Sequence, residues 1–568
     1  MQSPPTPRRR GRALLLLVAL AVAALLAFLT SAPTAALQQQ QQASPARALL
    51  LVPPPRTQQR RLPLRAVRGT SATPPAGTAP DHDAVLLPDW EVLVLLHPAA
   101  PPSAGGGASN VTCAFPGGAA SPARSIGTMP ASGRRAYTCA MPAPERRRKP
   151  PFPAPRLVFS NATSASSRSP PMLQRWSGRL VYDAVALPGG TGDVLVLARG
   201  VNPRQGVNRN ASDIRCVYYR RNATAEHVVA SLPATTSAQQ VFRCPPPPPT
   251  AADLRVTLAV AGEEDRPIPS VATYTPAAPQ HPPEDKKEEE EEKPVICACT
   301  MVRDVAKFLR EWVVYHAAVG VDRFFLYDNG SQDDLAGEVH RLTQEAGGFD
   351  ITTYPWPWPK TQEAGFSYAA AAHRDACEWM AFVDVDEFIF SPAWAAQSTT
   401  KPTKSMVRSV VAGVGPDVGQ VTLGCRDFGP SGRTKHPEEG VTQGYTCRRR
   451  AEERHKSLVR LDAVGPSLVN SVHHFELRPG MRWERARQAR VNHYKYQAWA
   501  EFKVKFRRRV STYVADWTEP VNQGSKDRTP GLGFEAVEPD GWATRFCDVE
   551  DTMLRDVTRR WFGAHHGG

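Results

Sequence analysis

Two different rhythms of apolar and polar residues divide this chain. Between residues 81 and 275 the apolar runs are brief, as at 90–96, 180–182, 193–197 and Leu254–Val260, with Gly- and Pro-rich turns between them. Short β-prone runs punctuated in this way predict a small antiparallel β-sandwich. From residue 295 the pattern changes. Strands are predicted at 294–302, at Arg323–Asp328 and at 349–354. Helical spacing intervenes at 304–319, where Phe308, Trp312, Tyr315 and Val319 share one face, again from about Leu335, and over 362–379. Strands alternating with helices predict right-handed crossovers and a mostly parallel sheet, so residues 295–560 read as an α/β domain.

The run 382–390, FVDVDEFIF, is apolar enough for a buried strand, yet it carries Asp384, Asp386 and Glu387. Carboxylates are rarely buried unless they are paired or metal-bound. In α/β sheets ligands gather at the carboxyl ends of the strands. Arg303, Asp328 and the Asp384/Asp386 pair all fall at such ends. Period-two alternation predicts that the two aspartates point to one side, where they would repel. A divalent cation removes that conflict. Oxygen ligands suit Mg²⁺ or Mn²⁺, whose remaining positions a substrate diphosphate can fill, and this is the chemistry of sugar transfer from a nucleotide sugar. A capping or ion-paired turn is the competing structural reading.

The N-terminus adds a compartment. Arg8, Arg9, Arg10 and Arg12 precede an apolar stretch that predicts a signal anchor over 13–32, with 1–12 cytosolic. A cleaved signal peptide is the alternative. Residues 33–80, rich in Gln, Pro, Ala and Arg, predict a disordered stem. In a lumen, Asn110, Asn161, Asn210 and Asn222 head glycosylation sequons. Oxidising conditions there favour disulfides among Cys113, Cys139, Cys216 and Cys244, with connectivity left open. Cys297 and Cys299 read as strand residues. Five consecutive glutamates, 288–292, mark an acidic linker over 276–294. The net charge of +14 invites a nucleic-acid partner, but no nucleic-acid motif accompanies it, and the anchor places the chain elsewhere. Attraction to an acidic polymer remains.

Several segments carry a family resemblance: CTMVRDVAKFLREWVVYHAAVGVDRFFLYDNGSQDD, KTQEAGF, CEWMAFVDVDEFIF, FGPSG, GYTCR, ERHKS, VNSVHHF, VNHYKYQAW and TYVADW. Running from about Cys299 to Trp517, they resemble glycosyltransferase family 92, and most closely its plant β-1,4-galactan synthases. The resemblance implies a GT-A (Rossmann-like) fold and a single-pass type II protein of the Golgi membrane with a luminal catalytic domain. It also implies inverting transfer of galactose from UDP-galactose onto β-1,4-galactan side chains of pectin, with Mn²⁺ (or Mg²⁺). The β-rich region 81–275 becomes a carbohydrate-binding module.

Carried over residue by residue, Asp384 and Asp386 hold metal and diphosphate. His493 is a late metal ligand, or else a structural histidine. Lys495 neutralises phosphate, and Arg303 and Asp328 grip uridine. Inversion needs a carboxylate base, open among Asp427, Glu453 and Glu387. Lys456 binds phosphate or acceptor. Trp356 and Trp358 stack on acceptor sugars, or pack as a loop. A homodimer is compatible with this reading. Rival readings are transfer of another UDP-sugar (arabinopyranose or xylose) and a non-catalytic polysaccharide-binding protein; a nucleic-acid partner is excluded.

Overall fold

The computed structural model describes residues 82–97, 111–159, 171–187, 192–276, 293–511 and 538–563, apart from short internal gaps. The predicted tail, anchor and stem (1–80) and nearly all of the acidic linker lie outside these residues. Among the described residues no helix is long and apolar enough to cross a membrane.

The C-terminal half is built on one eight-stranded sheet. Its strands are β1 (Ile296–Val302), β2 (Arg323–Asp328), β3 (Ile351–Pro355), β4 (Trp379–Phe382), β5 (Glu387–Phe390), β6 (Val418–Asp427), β7 (His455–Arg460) and β8 (Arg482–His493). The helices that matter here are α1 (Ala306–Val319), α2 (Leu335–Gln344), α3 (Gln362–Ala372) and α4 (Trp499–Ser511). Strand order is β3-β2-β1-β4-β7-β6-β8-β5. β1, β2, β3 and β4 pair in parallel, as the βα alternation predicts. β7 runs antiparallel to both β4 and β6, and β5 antiparallel to β8, so the sheet is mixed rather than mostly parallel.

Two local expectations change. The helix predicted over 362–379 stops at Ala372, and Trp379 opens β4 instead. Cys377 is disulfide-bonded to Cys297 in β1, which ties this return to the neighbouring strand. FVDVDEFIF is two strands and a turn, not one strand. β4 ends at Phe382 beside β1, and the chain crosses to the far edge of the sheet before β5 begins at Glu387.

One face of the sheet is covered by α1, through Leu309, Trp312, Val313 and Val319. Within it His316 is sealed: Nδ1 lies 2.9 Å from the Trp312 carbonyl and Nε2 is 3.3 Å from the Ile389 amide. The neutral Nδ1–H tautomer satisfies both contacts. Burial pushes His316 down to about 4, against an unfolded value of about 6.5. Between these values the unfolded chain binds a proton that the folded chain refuses, so stability falls as pH drops through that window. We expect wild-type unfolding free energy to fall by about 2 kcal/mol from this residue between pH 7 and pH 5. His316→Gln should flatten that part of the slope in denaturant titrations.

The opposite face merges with the N-terminal half. There a seven-stranded sheet lies beside two four-stranded antiparallel sheets, so the single sandwich predicted for 81–275 misses an entire sheet. The two smaller sheets share one apolar cluster that includes Val181, Val196, Ile214, Tyr218 and Val256. The Cys216–Cys244 disulfide links one to the other, and Cys113–Cys139 lies within the larger sheet. One core cluster then spans both halves, joining Trp176 and Tyr182 to Tyr327, Trp356 and Trp358. Trp358 stacks on Trp176 at 5.7 Å and meets Tyr182 at 5.1 Å. Each such ring removes about 150–250 Å² from water, about 4–6 kcal/mol of burial. Neither Trp356 nor Trp358 presents a face to a sugar, which corrects their assignment to the acceptor and favours the packed loop.

Candidate active site

The crossing from β4 to β5 decides the site. Asp384 and Asp386 sit in the turn between two strands that belong to opposite parts of the sheet. β4 pairs with β7, which opens on His455 and Lys456; β5 pairs with β8, which closes on His493. The two aspartates therefore meet different partners. Asp384 Oδ2 accepts from Lys456 Nζ at 2.7 Å, and Oδ1 from Gln362 Nε2 at 3.1 Å. Asp386 accepts from Lys505 on α4, and its Oδ2 is 3.4 Å from His493 Nε2.

Two further carboxylates lie beneath them. Glu387 has no exposed surface; its Oε2 is 2.9 Å from Lys456 Nζ, and its Oε1 is 3.6 Å from His493 Nδ1. Asp427, equally buried at the end of β6, is 3.0 Å from His493 Nδ1 and 2.7 Å from Lys495 Nζ. Four carboxylates are thus met by three lysines and two imidazoles, His493 and, 3.7 Å from Asp384, His473.

The balance sets the protonation states. Burial opposes ionisation of Asp384, but Lys456 and His473 outweigh it and hold it at about 2. Burial is likewise overcome at Asp386, by Lys505 and His493, and at Asp427, held at about 2 by His493 and Lys495. Glu387 goes the other way, because burial outweighs Lys456. Burial disfavours a charged His493, yet Glu387 and Asp386 lift it to about 9, so it is cationic at neutral pH. His473 is neutral: burial, then Lys456, press it down to about 3, and its Nε2 accepts from Lys456 Nζ at 2.6 Å. Its backbone has φ +69°, a left-handed conformation that non-glycine residues rarely adopt.

Not every predicted residue joins this cluster. Asp384, Asp386, Glu387, Asp427, His493 and Lys495 come together, with Lys456 buried among carboxylates and out of reach of a phosphate. Glu453 stands outside, in a surface ion pair with Arg449. Glu387 and Asp427 offer no surface to an acceptor, whereas Asp384 and Asp386 keep 30% and 15% of their side chains exposed. Arg303 and Asp328 lie on the same edge of the sheet, at the ends of β1 and β2. Asp328 Oδ1 accepts from the Ser331 amide at 2.8 Å, and Arg303 lines a cavity of about 370 Å³ with Asp89, Arg124 and Gln332. Asn210 is exposed, while Asn110, Asn161 and Asn222 lie outside the described residues. Asn329, also in a sequon, donates its amide to the Trp356 and Trp358 carbonyls at 2.7 and 3.2 Å.

Sequence reading missed Lys505, His473 and Gln362. No spacing links them to FVDVDEFIF, and only the tertiary fold brings them there. Because its carboxylate is spent on Arg449 at the surface, Glu453→Gln should leave transfer within about twofold of wild type, read as initial rates.

The cluster fits a divalent cation at one point only. Asp427 takes the Nδ1 side of His493, which leaves Nε2 turned to Asp386; loss of the Nε2 proton would make this a carboxylate-oriented histidine ligand. Among the described residues no group of three His, Cys, Asp or Glu side chains is placed to hold an ion. Asp384 is the correction: with Lys456 on one oxygen and Gln362 on the other, it is not set beside Asp386 as a second ligand.

Comparison with known proteins follows the same direction. The family description "Glycosyltransferase family 92" matches residues 292–525. A glycosyltransferase family 92 protein of Oryza sativa subsp. japonica is 41% identical over 404 residues, covering 69% of this chain and 67% of the relative. One of Ricinus communis is 42% identical over 416 residues, covering 71% and 70%. Among solved structures, a mannosyltransferase of Pyrobaculum calidifontis in complex with GDP-Man and Mn²⁺ is 11% identical and covers 41% of this chain and 65% of its own, at a TM-score of 0.22, too low to bear on function. With two thirds or more of these curated relatives covered at about 40% identity, the chain belongs to glycosyltransferase family 92.

Proposed function

We propose that this chain transfers galactose from UDP-galactose onto β-1,4-galactan side chains of pectin with inversion, as a single-pass type II protein of the Golgi membrane. The observation that carries the transferase reading is the cluster at the carboxyl edge of the sheet. It pairs partly exposed Lys505 with Asp386, and beside them stand partly exposed Lys495, paired with Asp427, and Asp384, paired with buried Lys456. Choice of donor and acceptor rests on the likeness of CEWMAFVDVDEFIF, VNHYKYQAW and their neighbours to plant galactan synthases.

In this reading Lys495 and Lys505, whose side chains are 26% and 37% exposed, bind the diphosphate of the donor. A divalent ion, Mn²⁺ or Mg²⁺, would be held by Asp386 and by His493 once the Nε2 proton of His493 is given up, and would supply positive charge to a departing diphosphate. Asp427 keeps the His493 ring oriented. Lys456 lies buried between Asp384 and Glu387 and keeps both ionisable groups in place without reaching substrate.

A donor screen tests the reading. Purified chain, labelled galactan oligomers and UDP-galactose, UDP-arabinopyranose or UDP-xylose are combined with and without Mn²⁺. Growth of the oligomer with UDP-galactose alone supports the assignment. Growth with another sugar reassigns the donor, and no turnover of any donor leaves a glycan-binding protein.

A further inference from the structure

The sheet carries a second feature outside the carboxylate cluster. β6 and β8 run parallel, but their register slips between Thr422 and Gly424, so that residues 486–489 of β8 bulge opposite Leu423. Beside the bulge lies an open cavity of about 1070 Å³. Its lining carries four arginines, Arg426, Arg485, Arg487 and Arg490, against two glutamates, over apolar ground such as Val421. The cavity lies at the upper limit of the range of about 300–1,000 Å³ found for small-ligand pockets.

The charges are arranged, not scattered. The Glu452 carboxylate rests on Gly424, where a Cβ would come within 2.3 Å of it; Arg485 holds one oxygen and Arg426 approaches at 3.6 Å. Arg490 is paired with Asp551 at 2.7 Å, and Arg487 is exposed. Pairing of Gln420 with Trp483 and of Thr422 with Arg485 puts Trp483, just outside the cavity lining, on the same face as Arg485, which is part of it. Trp483 is 54% exposed, the most exposed large apolar side chain among the described residues. The Trp483 and His474 rings lie nearly perpendicular at 5.7 Å, and His474 in turn packs on His455 at 5.1 Å. An indole more than half exposed and held beside a second ring suits the apolar face of a sugar ring.

We propose that Trp483 and this arginine-lined groove bind an acidic polysaccharide, the carboxylate-bearing stretch of the acceptor, an inference that rests on the reading of this chain as a polysaccharide-elongating transferase. Guanidinium forks match carboxylates in geometry as well as charge. β6 and β8, which wall the groove, end on Asp427 and His493, so a polymer held there is tethered at the edge where transfer occurs.

Affinity electrophoresis of the full chain in gels containing polygalacturonate, neutral β-1,4-galactan or polyglutamate tests this. Polygalacturonate should retard the protein, less so as salt rises. Trp483→Ala and Arg487→Ala should each weaken retention about tenfold, with Trp483→Tyr restoring most of it. Transfer to a short neutral galactan oligomer should not change in these variants. Retention of Trp483→Ala equal to wild type overturns the proposal. So does equal retention by polyglutamate, which would mean charge alone. If oligomer transfer works and polygalacturonate does not retard the chain, the groove fails and the transferase reading stands. If retention is intact and no donor turns over, the transferase reading fails and the binding surface stands.

Discussion

Asp386→Asn lowers transfer by on the order of 10³-fold while leaving the fold intact. Asparagine preserves the shape of the turn, and the Asp386 carbonyl still accepts from the Tyr494 amide at 2.8 Å. What disappears is the anion between Lys505 and His493. His493 owes its raised pKa first to Glu387 and then to Asp386, so losing Asp386 lowers it and disturbs the charge arrangement proposed to meet the donor diphosphate. Initial rates with saturating donor measure the loss, and the melting temperature should stay within about 3 °C of wild type. A UDP-dependent rise in melting temperature, present in wild type and lost in the variant, separates donor binding from folding. Transfer within tenfold of wild type would remove Asp386 from the site.

Lys456→Met costs stability rather than chemistry alone. Its ammonium is buried, 2.7 Å from Asp384, 2.9 Å from Glu387 and 2.6 Å from His473. Methionine fills similar volume but leaves two neighbouring carboxylates without their cation. Breaking a buried pair from one side costs about 3–5 kcal/mol, which for a chain of this size lowers the melting temperature by on the order of 5 °C. The deficit has a pH signature. Burial already raises Glu387, and without Lys456 its proton is held more firmly. A protonated Glu387 needs no cation, so the gap from wild type should narrow as pH falls through the carboxylate range. Chemical denaturation at pH 7.5 and pH 5 reads this directly, and a gap that widens with acid would contradict the pairing.

Several elements could be read before any coordinates. β2 falls on the predicted residues, and β1, α1 and α2 lie within a few residues of expectation, because their apolar periodicity is strong. The end of α3 was not legible, since the residues between Ala372 and Trp379 bear no stop signal, and the Cys297–Cys377 bond that ties this return to β1 is a long-range fact. Trp356 and Trp358 show the same limit. A Trp-Pro-Trp loop reads equally well as a sugar platform or as core, and it is core here because Trp176 and Tyr182, some 180 residues away, lie against it.

By itself the sequence determined that Asp384 and Asp386 stand at the carboxyl edge of an α/β sheet, since an apolar run interrupted by acids leaves an unpaired carboxylate no comfortable place in a core. Glu387, by contrast, is fully buried beside Lys456. Which of the carboxylates face substrate was decided only by the tertiary structure. The chain leaves β4 beside β7 and enters β5 beside β8, so Asp384 is drawn to Lys456 and Asp386 to His493 and Lys505. Local patterning reports a residue's own preference for water or for a core, whereas ion pairs across a sheet depend on strand order, which no short stretch of sequence contains.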